Sequence, residues 1–350
     1  MERMDNDLAF MLKYENVAWY EDGMVKILDR RVYPMEVRYE ICKSYKDVAK
    51  AIKDMVTQSA GPYTAAAMGM ALAAYECRNE TERKQTEFLK NAAFEISNAR
   101  PTTKNRMEKI TKGSLDRAVS AMESGKCVYE ELFNDAVDSL NRRYKTMSVV
   151  GENLVNLFPK DGKVMTQCFG ETIVGTMLRE CNKRGNKIKL YCPETRPYLQ
   201  GARLTASVAI DMGFDVTVIT DNMPACVMKL ENIDLFTSAA DSIVMDGSVI
   251  NKVGTYQIAI NAKYHGIPYF VTGIPDGDVK SITNIKIEQR DPELALEFMG
   301  KRVVKEKVKG YYPAFDITPP HLVSGVVTDK GIFSPYNLNE YFKGEVNRYY

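Results

Sequence analysis

Cys168 stands at a point of the sequence where a thiol can be reactive. It lies in the segment Thr-Gln-Cys-Phe-Gly-Glu at 166–171, between a predicted strand and a predicted helix. The positive end of a helix dipole stabilises a thiolate, so this position predicts a lowered pKa for the thiol. Most free cysteines in proteins are buried and inert, and the sequence alone leaves that alternative open.

Two further polar positions also follow predicted strands. Asp241 ends the segment Ser-Ala-Ala-Asp at 238–241, where a carboxylate serves either as a cap or as a catalytic acid–base group. Lys252 lies in Asn-Lys-Val-Gly-Thr at 251–255, which is predicted to open a helix. A lysine with a glycine and a hydroxyl at a helix start can hold a phosphate, although the segment is too short for a P-loop.

A polar loop at 193–203 carries Glu194, Arg196 and Arg203. The two arginines and the start of the next helix suit an anionic ligand, whereas pairing between arginine and glutamate on the surface is the alternative. Ligands of an open parallel sheet bind at the carboxyl ends of its strands. Because all these positions follow strands, their shared location indicates one functional site.

The elements that position them alternate in type after residue 162. Such alternation predicts an α/β fold with a parallel, doubly wound sheet. The predicted strands are Lys163–Thr166, Lys187–Tyr191, Phe214–Thr220, Leu235–Thr237 and Ile267–Thr272. The predicted helices begin at Glu171 and span Ala202–Met212, Pro224–Leu230 and Tyr256–Tyr264.

The preceding part of the chain is predicted to be mainly helical after a short β-hairpin. Asp22-Gly23 supplies the turn of that hairpin, because both residues tolerate a positive φ. Helical periodicity then begins behind Ser44. Further helices are predicted at Tyr63–Cys77, at Glu82–Ser97, after a cap at Thr102 or Thr103, and at Tyr129–Leu157. The best single boundary lies near residue 150, which predicts domains at 1–150 and 151–350.

Composition excludes several classes of function. Lys and Arg total 47 against 46 for Asp and Glu, whereas nucleic-acid binders usually carry a basic excess. The longest apolar run, Ala65–Tyr75, is too short to span a membrane. The sequence has seven cysteines without CxxC spacing and only two histidines, so it offers few possible ligands for a metal site. An odd cysteine count behind an N-terminus unlike a signal peptide predicts reduced thiols in the cytoplasm.

Several motifs together resemble the methylthioribose-1-phosphate isomerase family, which is related to the regulatory subunits of translation initiation factor 2B. The resemblance runs from about Val17 to Pro335. The matching segments lie at 100–102, 194–206, 251–255, 288–292 and 313–320. It implies a Rossmann-like C-terminal domain behind a smaller, mainly helical N-terminal domain, in a homodimer without metal or other cofactor.

The resemblance also implies roles for individual residues. The catalytic pair falls on Cys168 and on Asp241, which stands ten positions before Asn251; Asp246 would require a gap. The implied substrate-binding residues are Ser59, Ala60, Gly61, Arg100, Gln200, Asn251 and Lys252. One segment departs from the family, because Ser-Ala-Gly-Pro at 59–62 replaces Arg-Gly-Ala-Pro and the arginine is lost.

The expected activity is an aldose–ketose isomerisation of a 5-modified ribose 1-phosphate, with 5-methylthioribose 1-phosphate as the first candidate. Alternatives are 5-deoxyribose 1-phosphate and ribose 1,5-bisphosphate. Asp241 would protonate the ring oxygen from a buried, raised-pKa state, and the Cys168 thiolate would move the C2 proton; a hydride shift from C2 to C1 is the rival route. A non-catalytic regulatory subunit is the alternative from another class, and a nicotinamide-dependent dehydrogenase would rest on fold analogy alone.

Overall fold

The computed structural model describes residues 3–100 and 104–343. These residues divide into a first unit that runs to Lys145 and a second unit that begins at Thr146. The expected caps Thr102 and Thr103, and the neighbouring Pro101, lie outside the described residues.

The first unit combines a small antiparallel sheet with helices. Its strands, in the order β1-β2-β3, are β1 (Trp19–Glu21), β2 (Met24–Leu28) and β3 (Tyr39–Cys42). Its helices are α1 (Tyr14–Val17), α2 (Tyr45–Lys53), α3 (Gly61–Glu76), α4 (Glu82–Ser97), α5 (Lys104–Glu123) and α6 (Val128–Val155), the last of which continues into the second unit. The predicted hairpin at Asp22-Gly23 and the predicted helix at Glu82–Ser97 are confirmed.

Helix α3 is buried on all sides because its residues are small or apolar. It begins two residues before the predicted start, since Pro62 occupies the first turn, where a missing N–H costs nothing. Ser44 caps α2 by accepting from the Asp47 backbone N–H, and the Asp47 carboxylate accepts in return from the Ser44 N–H. These features explain why the helical prediction for this region succeeds.

The second unit contains a seven-stranded sheet. Its strands are β4 (Lys163–Met165), β5 (Lys189–Pro193), β6 (Asp215–Ile219), β7 (Leu235–Ala239), β10 (Tyr269–Thr272), β14 (Gly325–Thr328) and β15 (Gly331–Phe333). Its helices are α7 (Glu171–Arg184), a π-helical turn (Gly201–Thr205) that leads into α8 (Ala206–Asp211), α9 (Pro224–Glu231), α10 (Thr255–Tyr264) and α11 (Glu293–Leu296). The predicted α/β fold with a mostly parallel sheet is confirmed; only β15 runs antiparallel to its neighbour.

The strand order fixes where a ligand can bind. The sheet runs β15-β14-β10-β7-β4-β5-β6, so its six parallel strands follow the doubly wound order 3-2-1-4-5-6. The strand order reverses between the parallel neighbours β4 and β7, and the loops after these two strands therefore open a crevice at the carboxyl edge. Cys168 and Asp241 follow these two strands.

A smaller antiparallel sheet of β8 (Ser242–Ile243), β9 (Val249–Lys252) and β13 (Phe315–Thr318) was not predicted. Two short strands of two residues each, β11 (Glu297–Phe298) and β12 (Lys301–Arg302), pair as an antiparallel hairpin. Asn251 and Lys252 were predicted to open a helix, which is wrong: they end β9, and α10 starts three residues later at Thr255. A strand of four residues is too short for its alternation to be distinguished from a helix start.

All seven cysteines lie within the described residues and are free thiols. In the part of the chain that the structure describes, no helix is both long and apolar enough to cross a membrane.

Candidate active site

Cys168 lies in the short connection between β4 and α7. Its φ is 59°, a left-handed conformation that side chains other than glycine rarely adopt and that is found disproportionately at functional sites. The hydroxyl of the buried Thr205 donates to the Cys168 carbonyl, which fixes this turn against the π-helical segment. The Phe169 backbone N–H donates to the Cys168 sulfur.

Burial dominates the electrostatics of the Cys168 thiol. It raises the pKa to about 11, and the positive charges of Lys252 and Arg290 oppose this only in part, while the negative charge of Asp241 adds to it. The predicted lowering of the pKa by the helix terminus is therefore wrong for this structure, since loss of hydration outweighs the dipole. Part of the Cys168 surface nevertheless remains accessible.

Asp241 follows β7, the neighbour of β4 in the sheet. Its backbone N–H donates to the Ile250 carbonyl at 2.9 Å, which ties the residue to β9, and its side chain interacts electrostatically with Cys168. The sequence expectation placed its carboxyl in an apolar, buried environment. That expectation is wrong, because Asp241 is exposed in the structure.

Asn251 and Lys252 are buried beside Asp241 on β9. The Asn251 side-chain amide donates to the Thr255 hydroxyl at 3.1 Å. The Lys252 ammonium donates to the Ala314 carbonyl at 3.0 Å and lies 4.6 Å from the centre of the Phe315 ring. The small sheet therefore delivers a buried positive charge to the neighbourhood of the Cys168 thiol.

The N-terminus of α10 is already capped by a carboxylate. Asp316 accepts from the backbone N–H groups of Gly254 at 2.7 Å and Tyr256 at 3.1 Å. An anion at this helix start would meet the Asp316 oxygens, and the expected role of Lys252 in holding a phosphate stays a prediction. Burial raises the pKa of Asp316 to about 6, against the effect of these hydrogen bonds and of the Lys252 charge.

Gln200 is buried at the start of the π-helical segment after β5. Its side-chain carbonyl oxygen has no hydrogen-bond partner among the described residues. The next residue, Gly201, has to be a glycine, because a Cβ there would lie 1.8 Å from the Pro193 carbonyl oxygen. The segment thus packs directly against the end of β5 and holds Gln200 there.

The two loop arginines both donate hydrogen bonds to backbone carbonyls. Arg196 donates to the Glu297 carbonyl, and Arg203 donates to the Tyr198 carbonyl. Both side chains thus stabilise the loop, and their expected role in anion binding stays a prediction.

The remaining predicted substrate contacts belong to the first unit. Ser59 is exposed with a φ of 59°, Ala60 precedes α3, and Gly61 is its first residue. A Cβ at Gly61 would lie 1.9 Å from the Thr57 hydroxyl. Arg100 is buried after the end of α4. Their role in substrate binding stays a prediction.

Sequence reasoning assigned no role to three residues that the structure places in this region: Arg290, Tyr312 and Asp316. Arg290 and Tyr312 both interact electrostatically with Cys168. All three lie within motifs that were matched to the family, at 288–292 and 313–320 or directly beside them. Within residues 3–100 and 104–343, no group of three or more His, Cys, Asp or Glu side chains is arranged to hold a metal ion.

Comparison with known proteins gives a consistent assignment. Residues 57–335 match the Initiation factor 2 subunit family. The chain is 36% identical to the methylthioribose-1-phosphate isomerase of Fervidobacterium nodosum, over 94% of this chain and 97% of that protein. It is likewise 36% identical to methylthioribose-1-phosphate isomerase 1 of Pseudothermotoga lettingae, over 91% and 94% of the two chains.

Two solved structures resemble the fold closely. The 5-methylthioribose 1-phosphate isomerase of Pyrococcus horikoshii superposes with a TM-score of 0.78 at 30% identity, over 95% of this chain and 97% of that one. The subunit delta of translation initiation factor eIF-2B from A. fulgidus gives the same TM-score and identity, over 92% and 97%. The chain belongs to the initiation factor 2 subunit family and, within it, to the methylthioribose-1-phosphate isomerases.

Proposed function

We propose that this protein is an aldose–ketose isomerase that converts 5-methylthioribose 1-phosphate into 5-methylthioribulose 1-phosphate. One observation carries the proposal: a thiol and a carboxylate, Cys168 and Asp241, follow the two strands that flank the reversal point of the sheet and interact electrostatically. The names of the most similar isomerases supply the substrate. A parallel sheet of this topology offers its crevice at that position.

Ring opening is the first step. The phosphate on the anomeric oxygen prevents spontaneous opening to an aldehyde, so the ring oxygen has to receive a proton while C1 still carries the phosphate. Asp241 donates this proton as the C1–ring oxygen bond breaks, which leaves an oxocarbenium ion at C1 and a carboxylate on Asp241. A bound substrate displaces water from Asp241, and this raises the pKa of the carboxyl toward the value that an acid requires.

Proton transfer between carbons follows. The Cys168 thiolate removes the proton from C2, and the electron pair of that bond forms the C1=C2 double bond of an enol. The thiol then returns a proton to C1, while the C2 hydroxyl loses its proton to the Asp241 carboxylate and becomes the ketone. Both side chains regain their starting state, so the cycle needs no external acid, base or oxidant.

Cys168 and Asp241 share one proton between them in this scheme. The thiol is protonated at neutral pH in the unliganded protein because burial raises its pKa to about 11. The reactive thiolate with a protonated carboxyl has the same total charge as the thiol with a carboxylate. Reaching it therefore needs one proton to move from Cys168 to Asp241, and no proton from solvent.

We assign substrate binding to groups near Cys168 and Asp241 that carry a positive charge or have a polar atom without a hydrogen-bond partner among the described residues. Lys252 supplies a buried positive charge for the phosphate. The unpartnered Gln200 oxygen can accept from a sugar hydroxyl, and the Asn251 amide lies on the same strand as Lys252. The first unit is proposed as a separate, mainly helical domain, and the homodimer and the cytoplasmic location stay predictions.

A panel of sugar phosphates tests the proposal. Purified protein is offered 5-methylthioribose 1-phosphate, 5-deoxyribose 1-phosphate, ribose 1-phosphate and ribose 1,5-bisphosphate, and ketose formation is followed by NMR. We expect the highest kcat/KM for the methylthio compound. Preferred turnover of another member would retain the reaction and change the substrate, whereas no ketose from any of the four would contradict the proposal and favour a non-catalytic regulatory subunit.

A further inference from the structure

Arg290 is a half-buried arginine next to the small sheet of the second unit. Its backbone N–H donates to the Tyr312 carbonyl at 3.0 Å, so its segment pairs with the residues that lead into β13. Its side chain is 7% exposed, and its Nε donates to Glu288 at 2.8 Å. One edge of the guanidinium is thus fixed by a carboxylate.

The other edge of the guanidinium has no well-placed acceptor. Nη1 and Nη2 of Arg290, and the buried Tyr312 hydroxyl, make no hydrogen bond of good geometry among the described residues. The Arg290 side chain does interact with that hydroxyl, which opposes the rise in the pKa of Tyr312 that burial causes. The Tyr198 and Phe315 rings lie 5.5 and 5.8 Å from the guanidinium carbon, which stabilises the cation but accepts none of its in-plane N–H groups. Burying charged donors without acceptors is costly, so a purely structural arginine would be expected to satisfy them.

These donors belong to the surroundings of the thiol. The positive charges of Lys252 and Arg290 and the negative charge of Asp241 all act on the Cys168 thiol. Tyr312 also interacts electrostatically with this thiol. Phe315 lies 4.6 Å from the Lys252 ammonium and 5.8 Å from the Arg290 guanidinium carbon, so the two cations flank one ring. Arg290 therefore belongs to the charged groups that surround the Cys168 thiol.

We propose that Arg290 is a catalytic residue whose two terminal N–H groups bind the C2 oxygen of the substrate, with the Tyr312 hydroxyl as a third donor. This inference rests on the isomerase function proposed above. Negative charge develops on that oxygen when the C2 hydroxyl gives its proton to Asp241 and the C2 carbonyl forms. The same oxygen becomes the carbonyl if hydride moves from C2 to C1, so Arg290 serves either route.

Kinetics of three variants test this role. With 5-methylthioribose 1-phosphate as substrate, Arg290→Met should lower kcat by about 10²-fold or more, as expected for removal of donors to a developing oxyanion. Arg290→Lys should fall between this variant and the wild type, and Tyr312→Phe should lower kcat by about 10-fold. KM should change by less than a few-fold, and the exposed Arg302→Met serves as control.

An effect on KM alone would overturn the inference, because it would make Arg290 a ground-state contact for the phosphate. Unchanged kcat in Arg290→Met would overturn it as well. Loss of a buried cation can destabilise a fold, so melting temperatures accompany all variants. If Arg290→Met does not fold, Arg290→Lys and Tyr312→Phe carry the same test.

A second readout does not depend on turnover. The rate at which iodoacetamide alkylates Cys168 is followed against pH by peptide mass spectrometry, which separates it from the exposed Cys127 and Cys226. The groups acting on this thiol are Lys252, Arg290, Asp241 and Tyr312. In Arg290→Met the rise in rate should move to higher pH, and in Arg302→Met it should not.

The two readouts separate failure of the inference from failure of the proposed function. An unchanged alkylation profile in Arg290→Met would overturn the placement of Arg290 at the thiol even if the wild type is an active isomerase. If the wild type turns over none of the four sugar phosphates, the proposed function fails and the catalytic assignment of Arg290 fails with it. A shifted profile would then support only its position beside Cys168.

Discussion

The loops at the strand ends of the second unit and the loop at 59–62 of the first unit differ in how far they keep the family pattern. Cys168 and Asp241 both remain, and each is fixed by a neighbouring strand or segment. At 59–62 the family arginine is replaced by Ser59. The proposed catalytic residues lie where strand ends fix them, while the start of α3 is built from small residues.

Positive charge nevertheless lies close to the altered loop. Arg30, fully buried, donates to the Gln58 carbonyl at 2.7 Å, and Arg143 donates to the Thr64 hydroxyl at 3.0 Å and to the Ala60 carbonyl at 3.4 Å. The loop therefore keeps a basic environment although it lost its own arginine. We therefore predict that variation at 59–62 changes substrate preference and leaves the reaction type unchanged.

Removing either member of the pair should have the largest effect. We expect Cys168→Ser and Asp241→Asn each to lower kcat by about 10³-fold, because each deletes a proton carrier that has no substitute in the scheme. Steady-state assays with 5-methylthioribose 1-phosphate measure this loss. Cys226→Ser and Asp116→Asn, both at exposed positions, are the matched controls.

Turnover within a few-fold of the wild type in Cys168→Ser or Asp241→Asn would contradict the proposal, since the loops at the strand ends would then not contain the catalytic residues. Equal melting temperatures of variants and wild type ensure that a loss of kcat reports on catalysis.

Replacing Asp316, whose carboxylate caps α10, should have an effect of intermediate size, on the free energy of unfolding. Burial raises its pKa from 3.8 to about 6, so its contribution to stability is fully present below about pH 4 and is lost as pH rises through about 6. Asp316→Asn keeps an acceptor for the N–H groups of α10 and removes the buried charge. Above pH 6 it should raise the free energy of unfolding by up to about 3 kcal/mol, and by less where solvent screens the charge.

Urea denaturation between pH 4 and pH 7 measures this difference. The free energy of unfolding of the wild type and of the control Asp116→Asn should fall as the pH rises. That of Asp316→Asn should not show this fall. Parallel curves for all three proteins would show that Asp316 is ionised without cost, so that its carboxyl would behave like the exposed carboxyl of Asp116.

The smallest effect is expected from restoring the arginine in the first unit. Ser59→Arg should lower KM for the sugar phosphate by about 2–5-fold, the size of an exposed ionic contact, and leave kcat unchanged. Ser59→Gln, neutral and of similar length, controls for bulk at a positive φ. Equal KM values for the two variants would mean that charge at position 59 plays no part in binding.

The sequence predicts the large periodic elements and the strand ends well. Asp-Gly turns, caps such as Ser44 and a regular alternation of strands and helices are local signals, and so the hairpin, α4 and the parallel sheet were predictable. Strand β9 was not, since its pairing with β13 joins residues more than sixty positions apart. Local propensity holds no information about such pairing.

The same limit applies to the site. The resemblance supplied Cys168 and Asp241, but the raised pKa of Cys168, the exposure of Asp241 and the cap formed by Asp316 depend on burial in the folded chain. Arg290 lay in a matched motif without a role, because the lack of a well-placed acceptor for its terminal N–H groups is visible only when all its neighbours are in place.

Isomerisation in D2O tests most directly whether the Cys168 thiol carries the C2 proton to C1. The wild type is brought to equilibrium with 5-methylthioribose 1-phosphate and held there for many turnovers, and deuterium at C1 of the ketose is measured by NMR. A thiol with an accessible surface exchanges its proton with solvent, so the account predicts that deuterium accumulates at C1. Complete absence of deuterium at C1 would contradict it and favour direct hydride transfer from C2.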